Sequence, residues 1–345
     1  MTVSELTDVA PPHGRLRLED PEGRYRAVRL LTDLYKREPP FAFTRRGTAW
    51  ELRLPLPAVD RFEYLLQVAD ANGNVETILD PTAPTASGPF GAKSVFESPG
   101  YAPPAWVGVD VPAGTVEPLA LESERLRATV HGLVWTPAGV EADGLPLLVA
   151  HDGPEYAEHS ALLGYLAWAV ETGEAPPLRA ALLAPVHRNE HYAASPRYTA
   201  ALVEELLPAL EPPGPVIGVG ASLGALALLH AHRGNPDVFA GLFLQSGSFF
   251  QTATDPWEED FPRFGPITRF VGRVLKGREP GRPIPVTITC GSAEENLANN
   301  RTLRNALARQ GYEVELALVR DGHTWTGWRD ALQPHLGRLL ARAWR

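Results

Sequence analysis

Two kinds of hydrophobic periodicity divide the chain. Up to about residue 105, apolar positions alternate with polar ones. Trp50-Glu-Leu-Arg-Leu-Pro-Leu56 puts Trp50, Leu52, Leu54 and Leu56 on one face, and Phe62-Glu-Tyr-Leu-Leu-Gln-Val68 alternates again, the period of half-buried β-strands. Ala71-Asn-Gly-Asn74 supplies the Asn-Gly of a tight hairpin, with Val75-Glu-Thr-Ile-Leu79 as the return strand. Asp80-Pro81, Ser87-Gly-Pro-Phe-Gly91 and Ser94-Val-Phe96 continue the series of turns and short strands. The expectation is a small all-β sandwich over residues 1–105. Its aromatics (Phe41, Phe43, Trp50, Phe62, Tyr64) are expected in the core rather than as a sugar platform, because the alternating ones share a face.

A proline-marked linker is expected over residues 106–117. After it, short apolar runs alternate with Ala- and Leu-rich stretches, the pattern of α/β layering with a mainly parallel sheet. Strands are expected at residues 126–135, 145–150, 178–186, 215–219, 238–244, 285–290 and 313–319. Helices are expected near 160–168, over 195–210, after residue 223, over 299–310, and from 325 to the end. Ser195-Pro196 reads as an N-cap followed by a first-turn proline. The second domain is thus expected over residues 118–345.

Composition narrows the partners. The chain has 345 residues, 44% hydrophobic and 21% charged, with a formal net charge of −9, as for a globular protein of two domains. The acidic balance and scattered Lys and Arg argue against nucleic acid or an anionic membrane. No apolar run is long enough to span a bilayer. Met1-Thr-Val-Ser-Glu-Leu-Thr-Asp8 is acidic and lacks the apolar core of a secretory leader. The single cysteine, Cys290, rules out an internal disulfide and a cysteine-based metal site. The scattered histidines form no ligand pattern, so no cofactor or metal is expected, and a cytoplasmic location is.

One stretch carries the chemistry. Gly218-Val-Gly-Ala-Ser-Leu-Gly-Ala225 contains a G-x-S-x-G pentapeptide centred on Ser222. The buried strand expected before it and the helix expected after it are the context of a nucleophile elbow. A side chain at Gly220 or Gly224 is expected to collide with the facing strand or helix, and the Leu223 N–H at the helix start is aimed at an oxyanion. A serine hydroxyl needs a base and a carboxylate to orient that base, in the chain order Ser, acid, His. His323 lies between the last strand and the last helix, at the edge of the sheet where the elbow sits. His335 falls mid-helix. For the acid, Cys290-Gly-Ser-Ala-Glu-Glu295 leaves the preceding strand at the same edge. Glu294 is taken first, Glu295 is the alternate, and Asp321 is expected to point elsewhere.

These residues resemble the putative-esterase family of the α/β-hydrolase superfamily. The resemblance runs over Gly220-Ala-Ser-Leu-Gly224, Gly291-x-x-Glu294, Asn300-x-x-Leu303, Gly322-His-Thr-Trp325 with Trp328-Arg329, and Arg188-Asn-Glu-His-Tyr192 leading to Glu204-Glu-Leu-Leu-Pro208. The first third is similar to the immunoglobulin-like domain of enterochelin esterases. The resemblance implies an α/β-hydrolase domain and a serine esterase whose small-molecule substrate is a siderophore ester. Acyl transfer, an acetyl- or feruloyl-carbohydrate esterase, and a non-catalytic binding protein are the alternatives. It also implies a second oxyanion donor from His151-Asp-Gly-Pro-Glu-Tyr156. Relatives often donate from the residue after Asp-Gly, which here is Pro154, without an N–H. Either the donor moves to Gly153 or Glu155, or the oxyanion hole is weaker. Asp152, Arg188, Glu190 and Trp325 are the expected substrate contacts, with Arg188 and Glu190 as a rim ion pair or an exposed salt bridge.

Overall fold

The computed structural model describes residues 13–35, 41–55, 59–278 and 281–344. The acidic N-terminal segment and Leu56 lie outside the described residues. The chain divides into two compact units, residues 1–101 with 320–322, and residues 102–319 with 323–345.

The first unit is all β. Its strands are β1 (His13–Glu19), β2 (Tyr25–Thr32), β3 (Phe41–Ala42), β4 (Thr44–Arg46), β5 (Ala49–Pro55), β6 (Arg61–Asp70), β7 (Val75–Ile78), β8 (Thr85–Ala86) and β9 (Lys93–Glu97). They form two antiparallel sheets, ordered β1-β5-β4 and β3-β2-β6-β9-β8, with β7 paired to β6. The alternation in the sequence is the alternation of burial. Trp50, Leu52 and Leu54 on β5, and Phe62, Tyr64, Leu66 and Val68 on β6, are all buried. Phe43 is buried too, while Phe41 is only half-buried on the short β3. The Tyr64 hydroxyl donates to Asp80 Oδ2 at 2.7 Å, which meets the polar requirement of a buried phenol. Residues 320–322 pack here through an ion pair, Arg61 Nη1 donating to Asp321 Oδ2 at 2.9 Å with both side chains 3% exposed.

The second unit is an α/β layer structure. Its strands are β10 (Thr115–Ser123), β11 (Ala128–Thr136), β12 (Leu147–His151), β13 (Arg179–Leu183), β14 (Val216–Ala221), β15 (Phe239–Gln245), β16 (Val286–Gly291) and β17 (Val314–Val319). They form one sheet in the order β10-β11-β13-β12-β14-β15-β16-β17. The first two strands pair antiparallel and the six from β13 to β17 run parallel. Separate hydrophobic clusters cover the two faces. Helices Leu223–Gly234, Phe264–Leu275 and Leu297–Arg309 feed one; Leu162–Glu171 and Leu332–Ala343 feed the other. The central parallel strands β12, β14 and β15 are buried on both faces and read as apolar runs, whereas β16 carries Thr287 and Thr289 and the edge strand β17 is half-buried with Glu315 in it.

Three local expectations are corrected. Strand β10 begins inside the proline-marked stretch, because an edge strand tolerates Pro118. The helix expected over 195–210 is helical at Pro196–Ala201 but widens to a π turn at Leu202–Leu206; Pro208 has no N–H to return to the preceding turn. The last helix is broken. Gln333, with φ −94° and ψ 131°, is non-helical because Pro334 follows it.

Among the described residues, no helix is long and apolar enough to cross a membrane. The C-terminal ends of β12, β14, β15, β16 and β17 lie at one edge of the sheet. Residues of the site follow β12, β14, β15 and β16 directly, and His323 follows β17 after Arg320–Gly322.

Candidate active site

Ser222 follows β14 and precedes the helix Leu223–Gly234 with φ 55° and ψ −122°, a conformation that L-residues rarely adopt. The flanking glycines make the turn possible. A Cβ on Gly220 would stand 2.7 Å from the carbonyl carbon of Gly224, and one on Gly224 would stand 3.1 Å from the His151 Cβ. Gly218 serves the same packing, since a Cβ there would meet Leu228 at 2.8 Å. The first-turn N–H groups of the helix, beginning with Leu223, precede its first i→i−4 bond, Leu226 N–H to the Ser222 carbonyl at 3.3 Å.

Glu294 and His323 meet. His323 Nδ1 lies 2.8 Å from Glu294 Oε2, with the carboxylate buried and the imidazole 23% exposed. The other carboxylate oxygen, Oε1, accepts the Ser246 hydroxyl at 2.6 Å and the Gly291 N–H at 2.7 Å. Of the two glutamates considered for the acid, Glu294 is the one on the imidazole. The Asp321 carboxylate is engaged by Arg61 and by the Gly322 N–H. Trp328 stands edge-on to His323, with ring centroids 5.0 Å apart. His335 lies elsewhere, against Glu315 at 3.1 Å.

Ser222 is joined to this pair through one turn. Its Oγ is 3.0 Å from Ser248 Oγ, and its carbonyl accepts the Ser248 N–H at 3.1 Å. Ser246, two residues earlier, holds Glu294. Among the described residues, Ser222 makes no hydrogen bond to His323; its hydroxyl points to Ser248. The sequence reading did not single out Ser246 or Ser248. Their place directly after β15, beside the elbow strand, was the available signal.

The 152–156 turn is built by close packing. Asp152 has φ 52°, and the short helix Gly153–His159 follows with Pro154 in its first turn. A Cβ on Gly153 would fall 2.3 Å from the Leu182 backbone, so only glycine fits there. Both oxygens of the buried Asp152 carboxylate accept from Arg188, at 2.8 Å each. Arg188 thus pairs with Asp152 and not with Glu190, which meets Arg263 at 3.3 Å. Residues two apart on the Arg188–His191 turn point in different directions. Trp325 is half-buried, edge-on to Tyr156 at 5.4 Å.

Behind the elbow sits His151, fully buried, its Nδ1 3.1 Å from the Gly224 carbonyl and its Nε2 2.9 Å from the Tyr198 hydroxyl. Burial lowers it to about 4. His232, buried on the elbow helix against Tyr312, is likewise lowered to about 4 by burial. Both are neutral in the fold, whereas the unfolded chain protonates them near pH 6.5. Their contribution is therefore whole above pH 6.5 and is lost as pH falls from 6.5 towards 4, by roughly 3 kcal/mol for each. Denaturant midpoints measured from pH 7 to pH 4 should fall over that window, and His151→Phe should flatten the fall. Equal slopes for both proteins would contradict this assignment.

Among the described residues, no group of three or more His, Cys, Asp and Glu side chains could hold a metal ion. Cys290 is buried at the end of β16, and burial pushes its thiol up.

The family model Esterase, described as "Putative esterase", matches residues 123–339, more than half of the chain. The chain belongs to this esterase family. The matched region holds Ser222, Glu294 and His323. The iron(III) enterobactin esterase of Dickeya dadantii (strain 3937) is 27% identical over 202 residues, which cover 54% of this chain and 46% of that protein. The chain thus spans about half the length of the curated relatives that it matches. Among solved structures, the enterobactin esterase FES from Shigella flexneri in the presence of enterobactin aligns with a TM-score of 0.76. It is 21% identical, covering 96% of this chain and 92% of that one. The ferric enterobactin esterase of Salmonella typhimurium gives 0.76 at 22% identity, covering 96% and 93%. At such identities the likeness establishes the fold alone.

Proposed function

We propose that the protein is a serine hydrolase of carboxylic esters, with a siderophore ester of the enterobactin kind as substrate. The observation that carries this is the strained Ser222 on the same sheet edge as the bonded pair Glu294–His323. In this mechanism Ser222 Oγ turns from Ser248 to His323, gives its proton to Nε2, and attacks the ester carbonyl. The tetrahedral oxyanion is held by the Leu223 N–H and by an N–H of the 152–156 turn, from Gly153 or Glu155. His323 returns the proton to the leaving alcohol, and Glu294 steadies the imidazolium in between. Water then enters by the same route and releases the acid. Arg188, Glu190 and Trp325 are the side chains proposed for substrate contact. Asp152 would act through the Arg188 that it holds. Any iron arrives bound to the substrate, and a cytoplasmic location belongs to the same proposal.

The enterobactin esterase relatives support hydrolysis over acyl transfer and over sugar-ester cleavage. The test is a panel of enterobactin, p-nitrophenyl acetate, feruloyl and acetylated-sugar esters, with fluorophosphonate labelling alongside. Labelling at Ser222 with enterobactin turned over fastest is the expected result. A chain that resists labelling and cleaves none of the panel would not be an esterase.

A further inference from the structure

We infer that Ser246 and Trp328 are positioning residues that set the direction of the hydrogen bonds at Glu294 and, through them, the tautomer of His323. This rests on the esterase reading of the site. Ser246 is completely buried, with its backbone in the left-handed region at φ 48°. Its backbone is tied on both sides, by its N–H to the Thr289 carbonyl at 2.7 Å and by Asn296 Nδ2 donating to its carbonyl at 3.3 Å.

The Ser246 hydroxyl lies 3.0 Å from Trp328 Nε1 and 2.6 Å from Glu294 Oε1, and the buried Cys290 thiol also reaches both Ser246 and Glu294. An indole N–H can only donate, so Ser246 Oγ accepts from Trp328. Its one proton then goes to Glu294 Oε1, at 2.6 Å, rather than to the Cys290 sulfur, which is a weak acceptor. The Gly291 N–H is aimed at the same oxygen at 2.7 Å. Two donors on Oε1 leave no room for a proton there, and that oxygen serves only as an acceptor. Glu294 Oε2 is thereby an acceptor, and the ring nitrogen facing it, His323 Nδ1 at 2.8 Å, carries the hydrogen. Nε2 is left with the lone pair that a serine proton requires.

Trp328 is itself held. Its carbonyl accepts Gln245 Nε2 at 3.1 Å, and Gln245 Oε1 accepts the Tyr156 hydroxyl at 2.8 Å. One indole thus orients the acid through Ser246 and packs edge-on against the base. Neither Ser246 nor Trp328 is assigned a contact with substrate.

The test compares the parent protein with Ser246→Ala, Ser246→Cys, Trp328→Phe and the double variant Ser246→Ala/Trp328→Phe. Readouts are kcat and KM on p-nitrophenyl acetate, the downfield Nδ1 proton resonance of His323, and the melting temperature. Ser246→Ala should lower kcat about 10- to 100-fold with KM within about twofold, the range of one hydrogen bond to a charged group. It should also weaken or shift the Nδ1 resonance. Ser246→Cys, a weaker donor, should recover part of the loss. Trp328→Phe keeps a ring against His323 but has no N–H, and should move both readouts the same way by less. The double variant should be no worse than Ser246→Ala, since both act through one hydroxyl.

A folded Ser246→Ala with parental kcat and an unchanged resonance would overturn the inference, as would additive losses in the double variant. If Ser246→Ala does not fold, Trp328→Phe decides by the same two readouts. The resonance needs no turnover, so it reports on the tautomer even if the esterase reading fails. That other failure is seen separately, in a parent protein whose Ser222 takes no fluorophosphonate.

Discussion

Ser222→Ala should abolish ester turnover, with a fall in kcat on the order of 10⁵-fold or more, while the fold persists. Without Oγ no acyl-enzyme can form, and the Leu223 N–H and the binding surface can supply only the residual rate. The side chain itself contributes little to stability, because its one hydrogen bond is to Ser248 at 3.0 Å. The backbone makes the opposite contribution. Holding a non-glycine residue at φ 55°, ψ −122° costs about 1–3 kcal/mol. Ser222→Gly should therefore be equally inactive and yet melt at a higher temperature. Steady-state kinetics and thermal melts of the two variants check both halves. Turnover retained in Ser222→Ala would move the nucleophile elsewhere.

Glu294→Gln should lower kcat about 10⁴-fold, the loss that follows when a triad carboxylate becomes an amide of the same shape. The cause is hydrogen-bond direction. Donors from Ser246, Gly291 and His323 converge on this carboxylate, with the Cys290 thiol beside them. An amide offers one acceptor oxygen and one donor group. If its oxygen faces Ser246 and Gly291, its NH₂ faces His323 Nδ1, and the imidazole must move its hydrogen to Nε2, where it can no longer take the serine proton. If the amide turns round, NH₂ meets two donors at a buried site and stability falls instead, by about 1–3 kcal/mol for the unsatisfied group. Kinetics with a parallel melt separate the two arrangements. A Glu294→Gln protein with parental kcat would remove this residue from the mechanism and reopen the choice of acid.

What the sequence could and could not say follows from the range of the forces involved. Alternation along β5 and β6 names its own secondary structure because burial of one strand face repeats every second residue, and the apolar runs of β14 and β15 do so because both faces are buried. Gly220-Ala-Ser-Leu-Gly224 names its own turn, because the contacts that demand glycine lie within the elbow and its neighbouring strand. From these and the order of elements, the α/β class, the serine and the edge of the sheet were readable in one dimension. Pro118 and Pro208 could not be read locally, because their effect depends on whether a strand lies at an edge and on how a helix can widen.

Side-chain pairing was decided only in three dimensions. Arg188 turns to Asp152, 36 residues away in sequence, rather than to Glu190 beside it. Asp321 turns to Arg61, 260 residues away, although His323 is its near neighbour. The choice of Glu294 over Glu295 rests on which carboxylate meets His323, Ser246 and Gly291 together. Such choices are settled by which partner the fold brings within 3 Å. By itself the sequence determined the periodic elements and the glycine-lined serine turn; the tertiary structure decided which polar groups meet, because a hydrogen bond depends on position and direction in space and leaves no period along the chain.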